Sequence, residues 1–347
     1  MDERLTEVLR SFGFEEQVIS CSPYGSGHIN ETYLAELADG KKVIVQRISE
    51  RLTKDAAGLM HNISLVTSYL REREPDPRRV MELYEAKDQK PFVSLASGNW
   101  RAYAYIEDTI CLQAPESDED FRQSAIAFGR FSELLGDFPA GQLIDTIPDF
   151  HNTPMRVRQL ADAVEKDPAG RKDKVEKEIR FIFEREERMG ILQRMRDAGE
   201  LPVRVTHNDT KLDNVLFDRK TRKALCVIDL DTVMPGLSLY DFGDSIRFGA
   251  ATAREDEKDL SKMELDLHKY EVYLDGYLEA CPGLTPKEME LLPLGALTIT
   301  LEQAARFLTD YLNGDVYYRT VYPGQNLDRC RTQMKLAADM ERKLRCT

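Results

Sequence analysis

Two segments in the second half of the chain constrain its fold more than any other feature. The first reads Val-Thr-His-Asn-Asp over 205–209 and places Asn214 five residues after Asp209. The second, over 224–231, is an apolar stretch that ends in the sequence Asp-Leu-Asp. Apolar runs separated by polar turn residues are typical of a hairpin. The pattern therefore predicts a strand, a polar loop and then a hairpin whose second strand ends in carboxylates.

This arrangement suits phosphoryl transfer, in which a protein mainly orients a hydroxyl group and neutralises phosphate charge. Asp209 is predicted to lie beside the attacking hydroxyl as the base. Asn214 and Asp229 are predicted to hold Mg²⁺, which prefers oxygen ligands. Asp231 follows two residues after Asp229 and is expected on the same side of an extended chain as a further ligand. The alternative, in which these are turn-forming and capping residues, stays open because isolated motifs can mislead.

The tripeptide Asp241-Phe242-Gly243 spells the metal-binding motif of protein kinases, but its spacing argues against that role. In those enzymes one short hairpin separates the catalytic and the metal-binding aspartates, which fits Asp229 and not Asp241. We expect Asp241 and Asp244 to accept hydrogen bonds from backbone N–H groups of the catalytic loop, residues 206–214.

Periodicity divides the chain into a strand-rich and a helix-rich part. A short helix comes first, and strands are predicted at Val18–Cys21, Thr32–Leu37, Lys42–Ile48, Pro91–Leu95 and Arg101–Ile106. A helix is predicted over Ala56–Leu70 and a polar linker over 107–119. Helices then follow from Ser117 to Leu135 and near 155–166, 172–198, 258–280, 286–313 and 325–345. Strands interrupt them at Val203–Thr206, Asn214–Asp218 and Ala224–Leu230, so the order predicts an α+β fold.

Composition narrows the partners. The chain of 347 residues is 42% apolar and 31% charged, with a net charge of −13 and no basic block. A nucleic acid or an anionic membrane would need a clustered basic face, so neither is expected as a partner. The six cysteines are scattered without a CxxC pair, which argues against a disulfide framework or a structural zinc site. No apolar run approaches the length of a bilayer span, and the N-terminal segment has no apolar signal core, so we expect a cytoplasmic protein.

A glycine-containing loop between the first two strands, Gly25-Ser26-Gly27-His28, is predicted to close over nucleotide phosphates with its N–H groups. A plain turn is the alternative. His28 either donates to phosphate or sugar, or packs, since an imidazole serves both roles.

The third strand departs from the general kinase pattern. It has Gln46 where a phosphate-pairing Lys is usual, and the helix over 56–70 has no Glu to partner such a Lys. Gln46 is therefore predicted on the nucleotide side, and Arg47 on the opposite face of the sheet. Adenine is expected to bond backbone groups of Tyr105, Ile106 and Glu107.

The HND, Asn and IDLD elements, followed by Tyr240-Asp241, resemble the aminoglycoside phosphotransferase and choline kinase superfamily, which has a protein-kinase-like fold. The similarity is closest to N-acetylhexosamine 1-kinases and extends over 23–30, 100–103, 204–249, 255–262 and 306–315. The resemblance implies a bilobal fold with a small antiparallel-sheet N-lobe (1–107, nucleotide-binding) and a larger, mainly helical C-lobe (108–347, catalytic and sugar-binding). It also implies ATP and Mg²⁺ as cofactors. The reaction implied converts N-acetylglucosamine or N-acetylgalactosamine to the α-1-phosphate.

The same resemblance assigns contacts with the sugar to Arg306 and Tyr317, beside Asp209. Thr232 and Phe248 flank the predicted metal strand and are expected to line the sugar site. From spacing alone, Arg306 has a competing interpretation as the centre of a surface ion-pair ladder, with acidic residues four positions before and after it.

Two other functions remain open at this stage. A kinase of the same fold could act on choline, homoserine or an aminoglycoside, acceptors whose cationic groups need an acidic or aromatic cage. The missing Lys also permits a nucleotide-binding scaffold without activity, although the intact Asp209, Asn214 and Asp229 argue against it.

Overall fold

The computed structural model describes residues 2–25, 30–50 and 53–345. The strands are β1 (Val18–Pro23), β2 (Glu31–Leu37), β3 (Lys42–Arg47), β4 (Leu83–Tyr84), β5 (Val93–Leu95), β6 (Gly98–Ala104), β7 (Thr109–Cys111), β8 (Arg204–Thr206), β9 (Val215–Asp218), β10 (Ala224–Val227) and β11 (Met234–Gly236). The helices are α1 (Glu3–Ser11), α2 (Ala56–Arg71), α3 (Asp118–Leu134), α4 (Thr153–Lys166), α5 (Glu176–Phe183), α6 (Glu186–Met189), α7 (Ile191–Asp197), α8 (Ser238–Gly249), α9 (Leu267–Ala280), α10 (Pro286–Leu312) and α11 (Gln325–Leu344). The predicted α+β class, with an antiparallel sheet and a mainly helical part, is confirmed.

The chain forms two compact units, of which the first contains both larger sheets. This unit comprises Met1–Cys111, Asp137–Pro148 and Val215–Met234. Its main sheet has the antiparallel order β1-β2-β3-β6-β4, with β5 also paired to β6. Its second sheet has the order β10-β9-β7. The hairpin that carries the predicted metal ligand is therefore part of the first unit.

Helix α1 covers one face of the main sheet. Its residues Leu5, Val8 and Leu9 are buried against Val45 and Trp100, which form the core of this unit. Burial of such side chains is the main stabilising contribution to a core of this kind. The opposite face of the sheet is polar at the end of β3, where Gln46 lies.

The second unit comprises Leu112–Gly136, Asp149–Asn214 and Pro235–Thr347, and its helices approach one another at glycines. A Cβ atom at Gly243 of α8 would lie 2.6 Å from the Gly295 carbonyl oxygen of α10. A Cβ atom at Gly129 of α3 would lie 2.8 Å from the Tyr277 carbonyl oxygen of α9. Because the backbones are this close, glycine is required at these positions for steric reasons.

Several predicted elements differ from those observed. The helix predicted over 172–198 is divided into α5, α6 and α7, and α6 ends beside Gly190, a residue of low helix propensity. The helix predicted from 258 begins at Leu267, because Asp266 accepts a hydrogen bond from the Lys269 N–H and caps it there. Strand β7 lies in the predicted linker. Helix α8 was not predicted, and nearly all of its residues are buried.

Within the described part of the chain, no helix combines the length and the apolarity that crossing a bilayer requires. The division into a nucleotide-binding lobe at 1–107 and a catalytic lobe at 108–347 stays a prediction.

The contact between α8 and α10 gives a test of the close packing. We expect Gly243→Ala to lower the free energy of unfolding by about 1–3 kcal/mol, because the added methyl group meets backbone rather than a flexible side chain. Urea unfolding followed by circular dichroism measures this change. Gly141→Ala is the control, since a Cβ atom there meets nothing within 4 Å. Equal stability of the two variants would contradict the packing argument.

Candidate active site

The catalytic loop is attached to α8 through the carboxylate of Asp241. Its Oδ2 accepts a hydrogen bond from the His207 N–H at 2.8 Å, and its Oδ1 accepts one from the Asn208 N–H at 2.7 Å. Asn208 has a left-handed backbone, with φ of 65°. Buried N–H groups outside regular structure need partners of this kind. The predicted bracing role of Asp241 is confirmed.

A second aspartate of α8 supports the next part of the loop. The Asp244 Oδ2 atom accepts a hydrogen bond from the Thr210 N–H at 3.2 Å, as predicted. Its Oδ1 atom accepts two bonds from the buried guanidinium of Arg247, at 3.0 and 2.9 Å. The Ser245 hydroxyl donates to the Thr210 carbonyl at 2.8 Å. Helix α8 thus binds the loop on both sides of Asp209.

Asp209 itself is bonded to side chains of its own loop. The Lys211 Nζ atom lies 2.6 Å from Oδ1, and the Asn214 Nδ2 atom donates to Oδ2 at 3.1 Å. Burial acts to raise the pKa of Asp209, but the charge and hydrogen bond of Lys211, helped by His207 and Asn214, hold the pKa below its usual range. Asp209 is therefore ionised at neutral pH, as a base must be.

The histidine of the motif has a structural role. His207 is fully buried, and its ring contacts those of Phe128 and Phe131 edge to face, with centroids 5.5 and 6.0 Å apart. Its Nδ1 atom accepts a hydrogen bond from the Asp209 N–H at 3.3 Å. The imidazole therefore fixes the backbone of the base.

The start of the loop is fixed by a buried ion pair. Arg204, at the beginning of β8, donates from Nε and Nη2 to the two carboxylate oxygens of Glu288 at 2.7 and 2.8 Å. The Ser238 hydroxyl of α8 donates to the same carboxylate at 2.7 Å. Bidentate pairs of this type fix orientation as well as distance. Helices α8 and α10 thus hold the strand that leads into Asp209.

In the first unit, β9 and β10 form the predicted hairpin. The residues that follow it do not have the predicted extended conformation. Val227 pairs with Val215, and Asp229 follows with left-handed backbone angles, φ 59° and ψ 56°. Leu230–Thr232 then forms a single turn of 3-10 helix. The expectation that Asp229 and Asp231 share one side of an extended chain is wrong, because the backbone turns between them.

The carboxylate of Asp231 has partners on both sides. Its Oδ1 atom accepts a hydrogen bond from Nη1 of the buried Arg101, and its Oδ2 atom accepts one from Asn30 Nδ2 at 2.7 Å. Sequence reasoning missed Arg101, because its bond to Asp231 joins residues 130 positions apart that no local pattern links. These bonds favour a structural role for Asp231 over metal binding.

On the predicted nucleotide side, Gly25 has a φ of 79° at the end of the described part of the loop. Ser26, Gly27 and His28 lie outside the described residues. Gln46 accepts a hydrogen bond from Arg101 Nε at 2.9 Å and donates to the Thr32 hydroxyl at 2.9 Å.

The segment predicted to bond adenine follows the end of β6. The Tyr105 N–H donates to the Lys42 carbonyl at 3.1 Å, and the Ile106 carbonyl accepts from the Thr109 hydroxyl at 3.0 Å. The Glu107 carbonyl accepts from Arg78 Nη2 at 3.0 Å. The segment is thus held in place by hydrogen bonds with Lys42 of β3, Thr109 of β7 and Arg78.

The ion-pair ladder on α10 is not observed. Glu302 is buried, and its carboxylate accepts hydrogen bonds from the Thr153 hydroxyl at 2.6 Å and from His151 Nδ1 at 2.9 Å. Asp310 is buried as well and accepts from three successive backbone N–H groups, those of residues 316–318, at 2.8–3.0 Å. Both carboxylates are committed to other partners, so this interpretation of Arg306 is wrong.

Arg306 instead lies among aromatic rings. Its Cζ atom is 5.4 Å from the ring centroid of Phe150, 6.0 Å from that of Tyr317 and 5.8 Å from that of Tyr318. Its Nη1 atom donates to Gln303 Oε1 at 3.3 Å. Burial lowers the pKa of Arg156, and the positive charge of Arg306 lowers it further.

The remaining predicted contacts of the sugar are distributed over both units. Tyr317 is 64% exposed beside Arg306 in the second unit, and Phe248 is 38% exposed in the last turn of α8. Thr232 is buried in the 3-10 turn of the first unit. Arg306 and Tyr317 are therefore brought together, as are Asp209 and Asn214.

The oxygen donors predicted for Mg²⁺ suit that ion chemically. Asn214 turns its NH₂ group towards Asp209, with Nδ2 2.8 Å from the Asp209 carbonyl oxygen, which leaves its Oδ1 atom on the other side of the amide. Among the described residues, no group of three or more His, Cys, Asp or Glu side chains is arranged to hold a metal. Asn214 lies in the second unit and Asp229 in the first, so their shared role in binding Mg²⁺ stays a prediction.

Solved structures of similar fold cover nearly all of the chain. A spectinomycin phosphotransferase in complex with ADP and spectinomycin matches 99% of this chain and 98% of its own, with a TM-score of 0.62 and 13% identity. An amicoumacin kinase in complex with AMP-PNP and Ca²⁺ matches 96% of this chain and 93% of its own, with a TM-score of 0.62 and 11% identity. A choline kinase from Streptococcus pneumoniae matches 97% of this chain and 99% of its own, with a TM-score of 0.56 and 14% identity. The kinase-like fold is therefore established.

Family membership rests on the sequence itself. Residues 20–273, which include the catalytic loop, the hairpin and α8, match the phosphotransferase enzyme family. Since this match extends over well more than half of the chain, the protein belongs to the phosphotransferase enzyme family.

Proposed function

We propose that this protein is an ATP- and Mg²⁺-dependent kinase, acting in the cytoplasm, that phosphorylates the C1 hydroxyl of an N-acetylhexosamine. N-Acetylglucosamine and N-acetylgalactosamine are the candidate acceptors, and the product is the α-1-phosphate. The observation that supports this most is the state of Asp209, a carboxylate kept ionised by Lys211 on a loop that α8 holds at two points. Membership of a phosphotransferase family supports the proposed task of that carboxylate.

Asp209 would accept the proton of the acceptor hydroxyl. An anomeric hydroxyl is more acidic than an ordinary alcohol, because the ring oxygen withdraws electron density. A carboxylate of low pKa therefore suffices if it lies within hydrogen-bond reach of the hydroxyl. Asp209 is bonded to the side chains of Lys211 and Asn214, which can rotate. One of its oxygens can therefore release its present partner and accept a hydrogen bond from the substrate.

Asn214 and Asp229 would hold Mg²⁺, which when bound neutralises the phosphate charge that develops in phosphoryl transfer. Both offer oxygen atoms, the donors that Mg²⁺ prefers. The glycine-containing loop at residues 25–28, with Gln46 and the backbone of Tyr105, Ile106 and Glu107, would contact the nucleotide.

The charge around Arg306 supports an acceptor without a cation. Arg306 and Arg156 contribute two positive charges, and burial together with the Arg306 charge lowers the pKa of Arg156. The nearby carboxylate of Glu302 is already bonded to Thr153 and His151. A quaternary ammonium or an aminoglycoside would meet like charge here. A neutral sugar can instead accept hydrogen bonds from the guanidinium and lie against the ring of Tyr317.

An acceptor panel tests the proposed substrate class. We expect ATP-dependent ADP release with N-acetylglucosamine or N-acetylgalactosamine, and turnover at least about tenfold lower with choline, homoserine and kanamycin, because two guanidinium groups repel cations. A coupled ADP assay with phosphorus NMR of the product measures rate and position together.

Arg306→Met is the matched variant for this panel, because it keeps the length of the side chain and removes its charge. It should raise KM for the sugar about tenfold or more and leave the KM for ATP unchanged. Rapid turnover with choline and none with N-acetylhexosamines would contradict the substrate class. Binding of nucleotide without turnover of any acceptor would point to a scaffold instead.

The role of Asp209 is tested by Asp209→Asn. Loss of a general base lowers rates by about 10²–10⁴-fold, so kcat should fall by this factor while the Kd for AMP-PNP changes little. Asp162→Asn, an exposed change on α4, is the control. Undiminished kcat in Asp209→Asn would remove this residue from the mechanism.

The pairing with Lys211 predicts a shift of the pH profile. Because Lys211 holds the pKa of Asp209 low, Lys211→Met should raise that pKa. The acid limb of the kcat/KM profile should then move to higher pH by about one pH unit. Lys220→Met, an exposed change, should leave the limb in place. An acid limb that stays in place in Lys211→Met would show that Asp209 does not control it.

A further inference from the structure

The absence of the usual strand–helix Lys–Glu pair raises the question of what replaces it. In the main sheet, Thr32 of β2, Gln46 of β3 and Arg101 of β6 stand directly opposite one another in register. Gln46 Nε2 donates to the Thr32 hydroxyl, and Arg101 Nε donates to Gln46 Oε1, both at 2.9 Å. The position of the missing Lys is thus occupied by an amide that orients an arginine from the neighbouring strand.

Arg101 is not available as a phosphate ligand. The residue is 2% exposed, and its guanidinium donates to Gln46 from Nε and Nη2 and to Asp231 from Nη1. Its ion-pair partner, Asp231, follows β10, whereas the partner in the usual pair lies on the helix. The same Asp231 carboxylate accepts from Asn30 at 2.7 Å, and Asn30 Oδ1 in turn accepts from the Ser49 N–H at 2.9 Å.

Helix α2 reaches the same segment through Asn62. This residue is 1% exposed, and its Nδ2 atom donates to the Val233 carbonyl at 2.9 Å and to the Ile144 carbonyl at 2.8 Å. Its Oδ1 atom accepts from the Ile144 N–H at 2.8 Å. The helix that lacks the Glu is therefore joined to the backbone two residues after Asp231.

These bonds act on a segment whose conformation needs support. Asp229 adopts left-handed angles, which a residue with a side chain reaches only at a cost in free energy, and the 3-10 turn follows at once. Support for residues 231 and 233 thus fixes the direction in which Asp229 points.

We propose that Arg101 and Asn62 are positioning residues, which together replace the Lys–Glu pair by fixing the segment Asp229–Val233 so that Asp229 is presented to Mg²⁺. This inference rests on the proposed function, since it assumes that Asp229 binds the metal of the nucleotide. In this inference the buried pair of Arg101 and Asp231 supports the metal ligand, whereas the usual Lys–Glu pair acts on the phosphates.

Calorimetric binding of AMP-PNP, with Mg²⁺ and with EDTA, tests the inference. In the wild-type protein Mg²⁺ should tighten binding. In Arg101→Met that gain should fall about tenfold, while the Kd measured in EDTA stays within about twofold and the Tm shows that the protein is folded. Arg101→Lys should recover part of the gain. Asn62→Ala should lose part of it, because only one of the two supports is removed.

Arg47→Met is the matched control. Arg47 is the next residue after Gln46, lies on the opposite face of the sheet and pairs with Glu31 at 2.7 Å, so its removal should leave the gain unchanged. If Arg101→Met does not fold, the double variant Arg101→Met with Asp231→Met removes both charges and leaves none unpaired. It should show the same loss of the gain.

The outcomes separate the inference from the proposed function. A wild-type protein that binds AMP-PNP no better with Mg²⁺ would overturn both. A wild-type gain that persists in Arg101→Met, or in the double variant, would overturn the inference alone. So would Kd values that worsen equally in Mg²⁺ and in EDTA, since Arg101 would then support the nucleotide site as a whole.

Discussion

The hydrogen bonds from the His207 and Asn208 N–H groups to Asp241 hold the loop that carries the proposed base. The backbone there is left-handed at Asn208 and buried, so it cannot satisfy its own N–H groups within a helix or a sheet. A carboxylate with two oxygens satisfies both donors from one fixed point. Because Asp241 lies in the first turn of α8, and α8 packs on α10 at Gly243, the direction of Asp209 depends on helix packing some distance along the chain.

The aspartates of the loop and of α8 have different hydrogen-bond partners. These partners distinguish the aspartates that support the loop from the one proposed as the base. Asp241 and Asp244 accept from backbone N–H groups, and Asp244 also accepts from a buried arginine. Replacing either carboxylate would remove acceptors of buried N–H groups of the loop. The Asp209 carboxylate is bonded to Lys211 and Asn214, whose side chains can move aside without a change in the backbone. Of the three carboxylates, Asp209 is thus the one whose partners can make room for another group, which fits its proposed role as the base.

A structural feature could be predicted from the sequence where local spacing determines it. The strand, loop and hairpin, and the bracing by Asp241 and Asp244, were predictable because short connections fix them. The turn between Asp229 and Asp231 was not, since the Asp231 carboxylate after it is bonded to Arg101, from a strand more than a hundred positions earlier. Helix α8 was missed for a related reason: its polar residues, among them Asp241 and Asp244, are buried as partners of the catalytic loop and do not form a solvent-exposed face. Tertiary contacts that no local pattern encodes decided both cases.

The charged positions of α10 illustrate the same limit at the acceptor side. On an exposed helix, Glu302, Arg306 and Asp310 at four-residue spacing would pair with one another. Here both carboxylates are buried, and burial requires that each be satisfied fully, which one shared guanidinium cannot do. Glu302 therefore bonds Thr153 and His151, and Asp310 bonds the backbone that presents Tyr317. Arg306 is left to the aromatic rings and to Gln303, and the proposed contact with a sugar depends on this separation of its charge from the two carboxylates.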